Sequence, residues 1–438
     1  MRRTSLNWLT GIFFIFAPIF PLVSSGFEVI PSKYKIDFEE SYGKGHSPIV
    51  ASLINTPDGG YAFAGTWGSS FAAWLVKTDS NGRQQWEQSL RADRTTSWQR
   101  ATVVLTTKDD GYLLCGDTNE LDLVSADWDD KINPQEKKGR PRAALVAKID
   151  KNGQLVWKKA FGQLGKYYSN VIYQGVAVEG GFVFLGNTPS FVTGQPTPTG
   201  QVSIRSLWLF KINESGELLW EKFLSEDDGE YLMPKVSKEK YSKLIIDKDG
   251  SIVFATATDE IRSEIKDGKR ILALRGLAPG PRKKLLIIKF DKNGNELIRK
   301  RLAFGVDPTL MVDGKGYHLL VNEFEKEHIG IRSIILDAKL KVISERVIPS
   351  KNFWIRTAVP GPNGGLHLAG YHRIPPNERG EAAVAYLSKG GELNNENLFG
   401  INSWPADMVQ GASLKEIGVL WFSGMQEDAR LTKIKLAD

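Results

Sequence analysis

Six rings stand just ahead of successive apolar runs in this chain: His46, Trp98, Tyr168, Tyr231, Trp354 and Trp404. Each offers a flat apolar face with a polar edge, a surface that stacks on a sugar, an aromatic ligand or a peptide side chain. Arg100, Arg356 and Asp407 lie close by in sequence and could fix the polar groups of such a ligand. These nine residues form the candidate binding set. The same rings could instead be wedges between packed sheets, a choice that only geometry decides.

Catalytic chemistry is harder to assemble. The five histidines show no H-x-x-x-H spacing and no cysteine partner, so no zinc site is expected. His318 and His367 occupy equivalent places in two repeats, matching Ala62 and Val183, which points to architecture. Cys115 is the only cysteine; it excludes an intrachain disulfide and reads as a small buried hydrophobe in the run Tyr112–Gly116. Asp127, Asp129 and Asp130 lack the glycine and closing glutamate of a calcium loop. The S-x-D-x-G-x-x-W box of sialidases is not matched by Asp79, Gly82 and Trp86, and one cysteine cannot supply the adjacent pair of quinoprotein dehydrogenases. No G-x-S-x-G elbow or phosphate loop is present, and no carboxylate pair can be singled out for glycoside hydrolysis. No metal or cofactor is expected, and binding is expected in preference to catalysis.

The N-terminus reads as a cleaved export signal over residues 1–26. Arg2 and Arg3 precede an apolar run from about Trp8 to Val23, and Ser24, Ser25 and Gly26 suit cleavage. Pro18 and Pro21 within that run argue against a retained span. A secreted or periplasmic bacterial protein is expected, with residues 27–438 as one domain. The net charge of +6 loses two when Arg2 and Arg3 are removed, which is too mild to mark a nucleic-acid binder. The partner is expected to be a polysaccharide, a peptide or an envelope protein, and the chain a monomer.

The elements that position the candidate residues repeat. The first unit runs from Ser47 to Leu90 with four strand-length runs joined through Pro57-Asp58-Gly59-Gly60 and Asp79-Ser80-Asn81-Gly82. Asp and Asn tolerate the left-handed backbone and Gly enters it without steric cost, so both joints predict hairpin turns. Seven units start near Ser47, Ser97, Ser169, Lys240, Asp307, Phe353 and Trp404. Trp86, Trp157 and Trp220 follow the second turn at a fixed offset, Ile298 replaces them in unit four, and unit five loses the turn glycine in Asp337-Ala338-Lys339-Leu340. The seventh unit ends at Asp438, one strand short. Phe38-Glu39-Glu40-Ser41-Tyr42-Gly43 reads like Trp157–Gly162, so Lys35–Tyr42 is expected to supply the missing strand. The prediction is an all-β, seven-bladed β-propeller of four-stranded antiparallel blades, its last blade closed by the N-terminal strand.

The pattern D-G-G-Y-x-x-x-G (Asp58 to Gly65), then W-L-V-K-x-D-x-x-G-x-x-x-W (Trp74 to Trp86), resembles the repeat of secreted bacterial and archaeal β-propellers. More distantly it is similar to the quinoprotein propeller repeat. The resemblance implies a propeller fold and an exported location, and says little about activity. The ring residues at the unit entries depart from it, because that place is usually acidic or small in the family.

Units two to four exceed the ~40–45 residues of a minimal blade. The excess lies at 118–142, 187–206 and 258–284, between the second and third strands. The first insertion carries Asp122 and Asp127 with Lys137, Lys138, Arg140 and Arg142; the second is rich in Pro, Thr and Gly; the third is basic, with Arg262, Lys266, Lys269 and Arg270. All three are expected on the face opposite the glycine turns, where loops on a rigid scaffold carry binding. The expected function is recognition of a ligand or partner through the funnel mouth and these loops. The alternatives are a glycan- or polymer-acting enzyme and an envelope assembly scaffold.

Overall fold

The computed structural model describes residues 34–437 except 69–70, 92–97, 121–141, 163–169, 190–204, 225–241, 259–261, 267–268, 274–283, 326–327, 351–352, 375–378, 402 and 424–427. Strand β1 (Tyr34–Tyr42) comes first. Blade 1 is β2 (Ile49–Asn55), β3 (Tyr61–Trp67), β4 (Ala72–Thr78) and β5 (Gln84–Leu90). Blade 2 is β6 (Gln99–Thr106), β7 (Tyr112–Thr118), β8 (Ala143–Ile149) and β9 (Leu155–Phe161). Blade 3 is β10 (Val171–Val178), β11 (Gly181–Pro189), β12 (Arg205–Ile212) and β13 (Leu218–Leu224). Blade 4 opens with β14 (Ser242–Ile246) and β15 (Ile252–Thr258). A separate hairpin follows, β16 (Arg262–Lys266) with β17 (Lys269–Ala273), then β18 (Lys284–Phe290) and β19 (Glu296–Phe304). Blade 5 is β20 (Val306–Val312), β21 (Gly316–Glu325), β22 (His328–Asp337) and β23 (Val342–Pro349). Blade 6 is β24 (Phe353–Pro360), β25 (Leu366–Ile374), β26 (Arg379–Leu387) and β27 (Leu393–Ile401). Blade 7 is β28 (Ser403–Gln410), β29 (Glu416–Ser423), β30 (Ala429–Leu436) and, as its fourth strand, β1.

This is the seven-bladed propeller that the repeat predicts. The first strand of each blade contacts the first strand of the next, and β28 of blade 7 contacts β2 of blade 1, so the ring is closed. The middle strands explain the apolar runs. All seven residues of β4 and of β7 are buried, because each middle strand packs on a neighbouring blade through both faces. The outer strand β5 keeps only Leu90 buried. The third insertion, expected as a loop, contains the β16–β17 hairpin.

The second turn is organised by its first residue. Asp79 Oδ1 accepts from the backbone N–H of Asn81 (2.8 Å) and Arg83 (2.9 Å), and Gly82 takes φ +81°. Asp150, Asn213, Asp291 and Asp337 make the same pair of bonds.

The tryptophan that follows this turn belongs to the joint with the next blade. A Cβ on Gly153 of blade 2 would lie 3.0 Å from the Trp86 ring of blade 1; Gly216 stands likewise over Trp157 and Gly294 over Trp220, both at 2.8 Å. Phe38 of β1 lies under Gly82, which makes it the tryptophan equivalent of blade 7. Where blade 4 carries the smaller Ile298, blade 5 has lost the glycine: Leu340 takes its place at φ +59° and shares the same core cluster.

β1 pairs with β30 from Tyr34↔Leu436 to Tyr42↔Ala429, with a bulge between Ile36 and Phe38. Tyr34 reaches beyond its own blade. His367 Nε2 donates to the Leu414 carbonyl at 2.7 Å, so Nδ1 accepts the Tyr34 hydroxyl at 2.7 Å. That bond ties the closing strand to blade 6.

Candidate ligand-binding face

Register fixes which residues share a height on the ring. Strand two carries a glycine in four blades (Gly65, Gly116, Gly186 and Gly370), and a Cβ there would collide with a strand-one carbonyl, that of Ile49, Arg100, Val171 and Trp354 respectively. Those four residues are therefore equivalent, and Trp404, opposite Phe422, joins them in blade 7. Trp98 lies two residues before this level and His46 lies in the turn ahead of β2. A bulge follows at one place in six of the blades, at Ala51, Thr102, Tyr173, Asp307–Pro308, Arg356 and Ala406. The unit-five Asp307 thus matches Ile355, one residue past the level of Trp354, and Val306 stands at that level instead. Tyr168 and Tyr231 lie outside the described residues.

The strand-one starts, the strand-two ends and the strand-three starts meet at one edge of each sheet, as in Ile49↔Thr66 and Trp67↔Ala72. The glycine turns occupy the opposite edge. This entry face holds the described rings of the candidate set and the roots of the insertions.

On blade 2 the structure assembles a compact polar site. Arg100 on β6 forms a fork with Asp117 on the paired strand β7, Nε to Oδ1 at 3.0 Å and Nη2 to Oδ2 at 2.8 Å. Arg142, one residue ahead of β8, brings Nη1 to 3.9 Å from the same Oδ2. The Asp117 side chain is fully buried, whereas both arginine side chains are 39% exposed. Both guanidiniums lie over the partly exposed Trp98 indole, at 5.1 Å and 4.8 Å from its centre, within cation–π range. Trp98 is held in place by its own backbone, whose N–H donates to Asn119 Oδ1 at 2.6 Å and whose carbonyl accepts from Asn119 N at 3.2 Å. Beneath, the buried Glu120 accepts from Lys158 Nζ at 2.7 Å and from Gln99 Nε2. That second bond fixes the Gln99 amide and leaves its buried Oε1 without a partner among the described residues. Sequence reasoning found Trp98 and Arg100, and counted Arg142 only among the basic residues of the first insertion; it missed Asp117 and Glu120. A polar residue directly after Gly116 in an apolar strand was the signal for Asp117.

Ring pairs occupy the same face on blades 6, 7 and 1. Trp354 stacks at 6.5 Å on Tyr371, Trp404 at 6.1 Å on Phe422, and His46 lies 4.6 Å from Trp67, which meets Trp74 edge-on at 4.9 Å. These rings are not equally available. Trp354 is only 9% exposed and donates Nε1–H to Asp307 Oδ2 of blade 5 at 2.8 Å, so it is largely a joint between blades. Trp404, Phe422, Tyr371 and Trp67 are partly exposed and His46 is exposed. Asp407 also serves a joint: its Oδ2 accepts from Leu53 N of blade 1 at 3.0 Å. Arg356 is the bulge residue of β24 and partly exposed.

Several buried or half-buried titratable groups serve the architecture. Lys77, Lys148 and Lys289 reach back from strand three to the first-turn acids Asp58, Asp109 and Asp247 at 2.7, 2.7 and 2.9 Å. His318 Nε2 lies 2.8 Å from Ser333 Oγ, but Ser333 is 2% exposed and burial lowers the imidazole pKa to about 4. Such a pair offers neither access nor basicity for a nucleophile. Burial pushes the Cys115 thiol far up, so it stays protonated. Among the described residues no group of three or more His, Cys, Asp or Glu is placed to hold a metal.

No family model and no curated protein sequence matches this chain. Among solved structures it is similar to the β-propeller domain of the Trilobed protease from Pyrococcus furiosus, at 12% identity and TM-score 0.44, over 90% of this chain and 97% of that one. An α-L-arabinofuranosidase of Fusarium graminearum, solved with arabinobiose, matches at 8% identity and TM-score 0.47 over 82% and 99%. Prolyl oligopeptidase B from Galerina marginata matches at 8% and 0.46, over 86% of this chain but 48% of its own. The propeller assignment rests on the strand pairing above, and no activity passes from these proteins to this chain.

Proposed function

We propose that residues 27–438 form an exported, secreted or periplasmic binding module that takes a polysaccharide across its entry face. The observation that carries this reading is the run of ring pairs on three consecutive blades, Trp354–Tyr371, Trp404–Phe422 and His46–Trp67, with partly exposed members at the mouth of a rigid ring. Sugar rings stack their C–H faces on such planes and bond through the rims. The scaffold is preorganised, so little ordering cost falls on the protein. The two faces differ as a binding protein requires: short repeated turns on one, the roots of three chemically distinct insertions on the other.

Isothermal titration calorimetry against a polysaccharide panel tests this. Trp404→Ala is expected to weaken the binding ligand by at least about tenfold, the loss of one aromatic anchor. Undiminished affinity in that variant, with an unchanged melting temperature, would sink the reading. Release of products from the same panel would replace it with an enzyme.

A further inference from the structure

We propose that the Trp98–Arg100–Arg142 cluster on blade 2 is a carboxylate-reading subsite that takes a uronic acid residue of the bound polysaccharide. The inference rests on the polysaccharide reading above and adds the chemical class of the sugar. Two guanidiniums share one carboxylate oxygen, Asp117 Oδ2, at 2.8 and 3.9 Å, so the triad carries a net positive charge. The acid is fully buried while both bases are 39% exposed; the anion anchors from within and the cations face outward. Arg100 spends Nε and Nη2 on Asp117, and Nη1 has no acceptor among the described residues. The neighbouring Glu120 is buried and already held by Lys158, so it presents no free negative charge to an incoming anion.

The geometry favours a planar carboxylate on a ring. A guanidinium fork fixed by a buried acid keeps its remaining donors in one plane and loses little rotamer freedom on binding. The indole of Trp98 lies within 5.1 Å of both guanidinium carbons and supplies an apolar face beside them. A pyranose that bears a carboxylate presents both features at once. Asp117 and Arg100 make this subsite particular to blade 2, since blades 1 and 3 carry Thr66 with Ile49 and Asn187 with Val171 at the same register.

The test is titration with one oligogalacturonate in two forms, the free acid and its methyl ester, at low and high salt. The free acid is expected to bind about tenfold or more tightly, the range of hydrogen bonds to a charged group, with the gap narrowing as salt rises. Arg142→Gln and Arg100→Lys are expected to bring the two forms toward equal affinity. Arg142→Gln covers the case in which changes at Arg100 disturb the buried Asp117. Equal binding of acid and ester by the unaltered protein, or a preference that survives both variants, overturns the carboxylate subsite while leaving polysaccharide binding intact. Equal preference for dextran sulfate replaces it with a general anion site. Binding of no polysaccharide overturns both readings.

Discussion

The tryptophan-to-glycine contact between blades can be broken and restored one side at a time. Gly153→Ala places a methyl 3.0 Å from Trp86 Cε3 and 3.1 Å from Cδ2, at a backbone angle of φ +86°. The backbone strain costs about 1–2 kcal/mol. Forcing the ring away adds about 1–2 kcal/mol, the range for overpacking at a site that can partly give. The single variant should therefore lose about 2–4 kcal/mol. In a Trp86→Ala background the ring is gone and only the strain remains, so the same Gly153→Ala step should cost about 1–2 kcal/mol. The coupling of about 1–2 kcal/mol is read from urea unfolding midpoints at unchanged slope in a double-mutant cycle. Additivity within about 0.5 kcal/mol would refute the contact as the reason the two residues recur together. Blade 5 already shows the double replacement, with Leu340 facing the Ile298 side of blade 4.

Three further outcomes follow from named bonds. Tyr34→Phe leaves His367 Nδ1 buried without its donor and should cost about 1–3 kcal/mol, measurable as a lowered melting temperature; no change would remove Tyr34 from ring closure. His318 has its pKa lowered by burial from 6.5 to about 4, so the unfolded chain binds that proton more readily. Its contribution is complete above about pH 6.5 and declines as pH falls toward 4, by about 2 kcal/mol at pH 5; His318→Gln should flatten that part of the stability–pH curve, and parallel curves would count against it. Asp117→Ala leaves two cations against Trp98 without their buried anchor and should cost about 3–5 kcal/mol, whereas Arg142→Gln should cost under about 1 kcal/mol; similar losses would mean that Arg142 shares the anchoring role.

Most of the fold was legible because propeller blades are built from local signals. Asp79 and Gly82 form a turn from four consecutive residues, and the middle strands are apolar throughout because both of their faces are buried. Even the closing strand was readable, since Phe38 does for Gly82 what Trp157 does for Gly216. The tryptophan's role was not legible. It follows Gly82 in sequence as Trp86 yet packs under Gly153, and a contact to the next blade leaves no trace in spacing within a unit. The candidate site was half legible for a related reason. Links between blades vary in length, so counting from them aligned His46, Trp98, Trp354 and Trp404, which the structure puts at three different levels. The strand-two glycine was the better ruler, because it must face one strand-one carbonyl.

That ruler also decides where binding is to be sought. At its level blades 1 and 3 hold Ile49 and Val171 at the rim, residues that the repeat can supply without polar partners. Blade 2 instead holds Arg100, and with it a fully buried Asp117. Such a pair adds little stability over an apolar one, since removing a carboxylate from water consumes most of what the fork returns. Trp354 and Asp407 also depart from apolar rim chemistry, but each spends its polar group on the neighbouring blade, Trp354 on Asp307 and Asp407 on Leu53. The Arg100–Asp117 fork lies within a single sheet. Its buried half carries the desolvation cost of a charge, and its exposed half lies on the entry face. In the proposed uronate subsite, that exposed half is the group the sugar's carboxylate would meet.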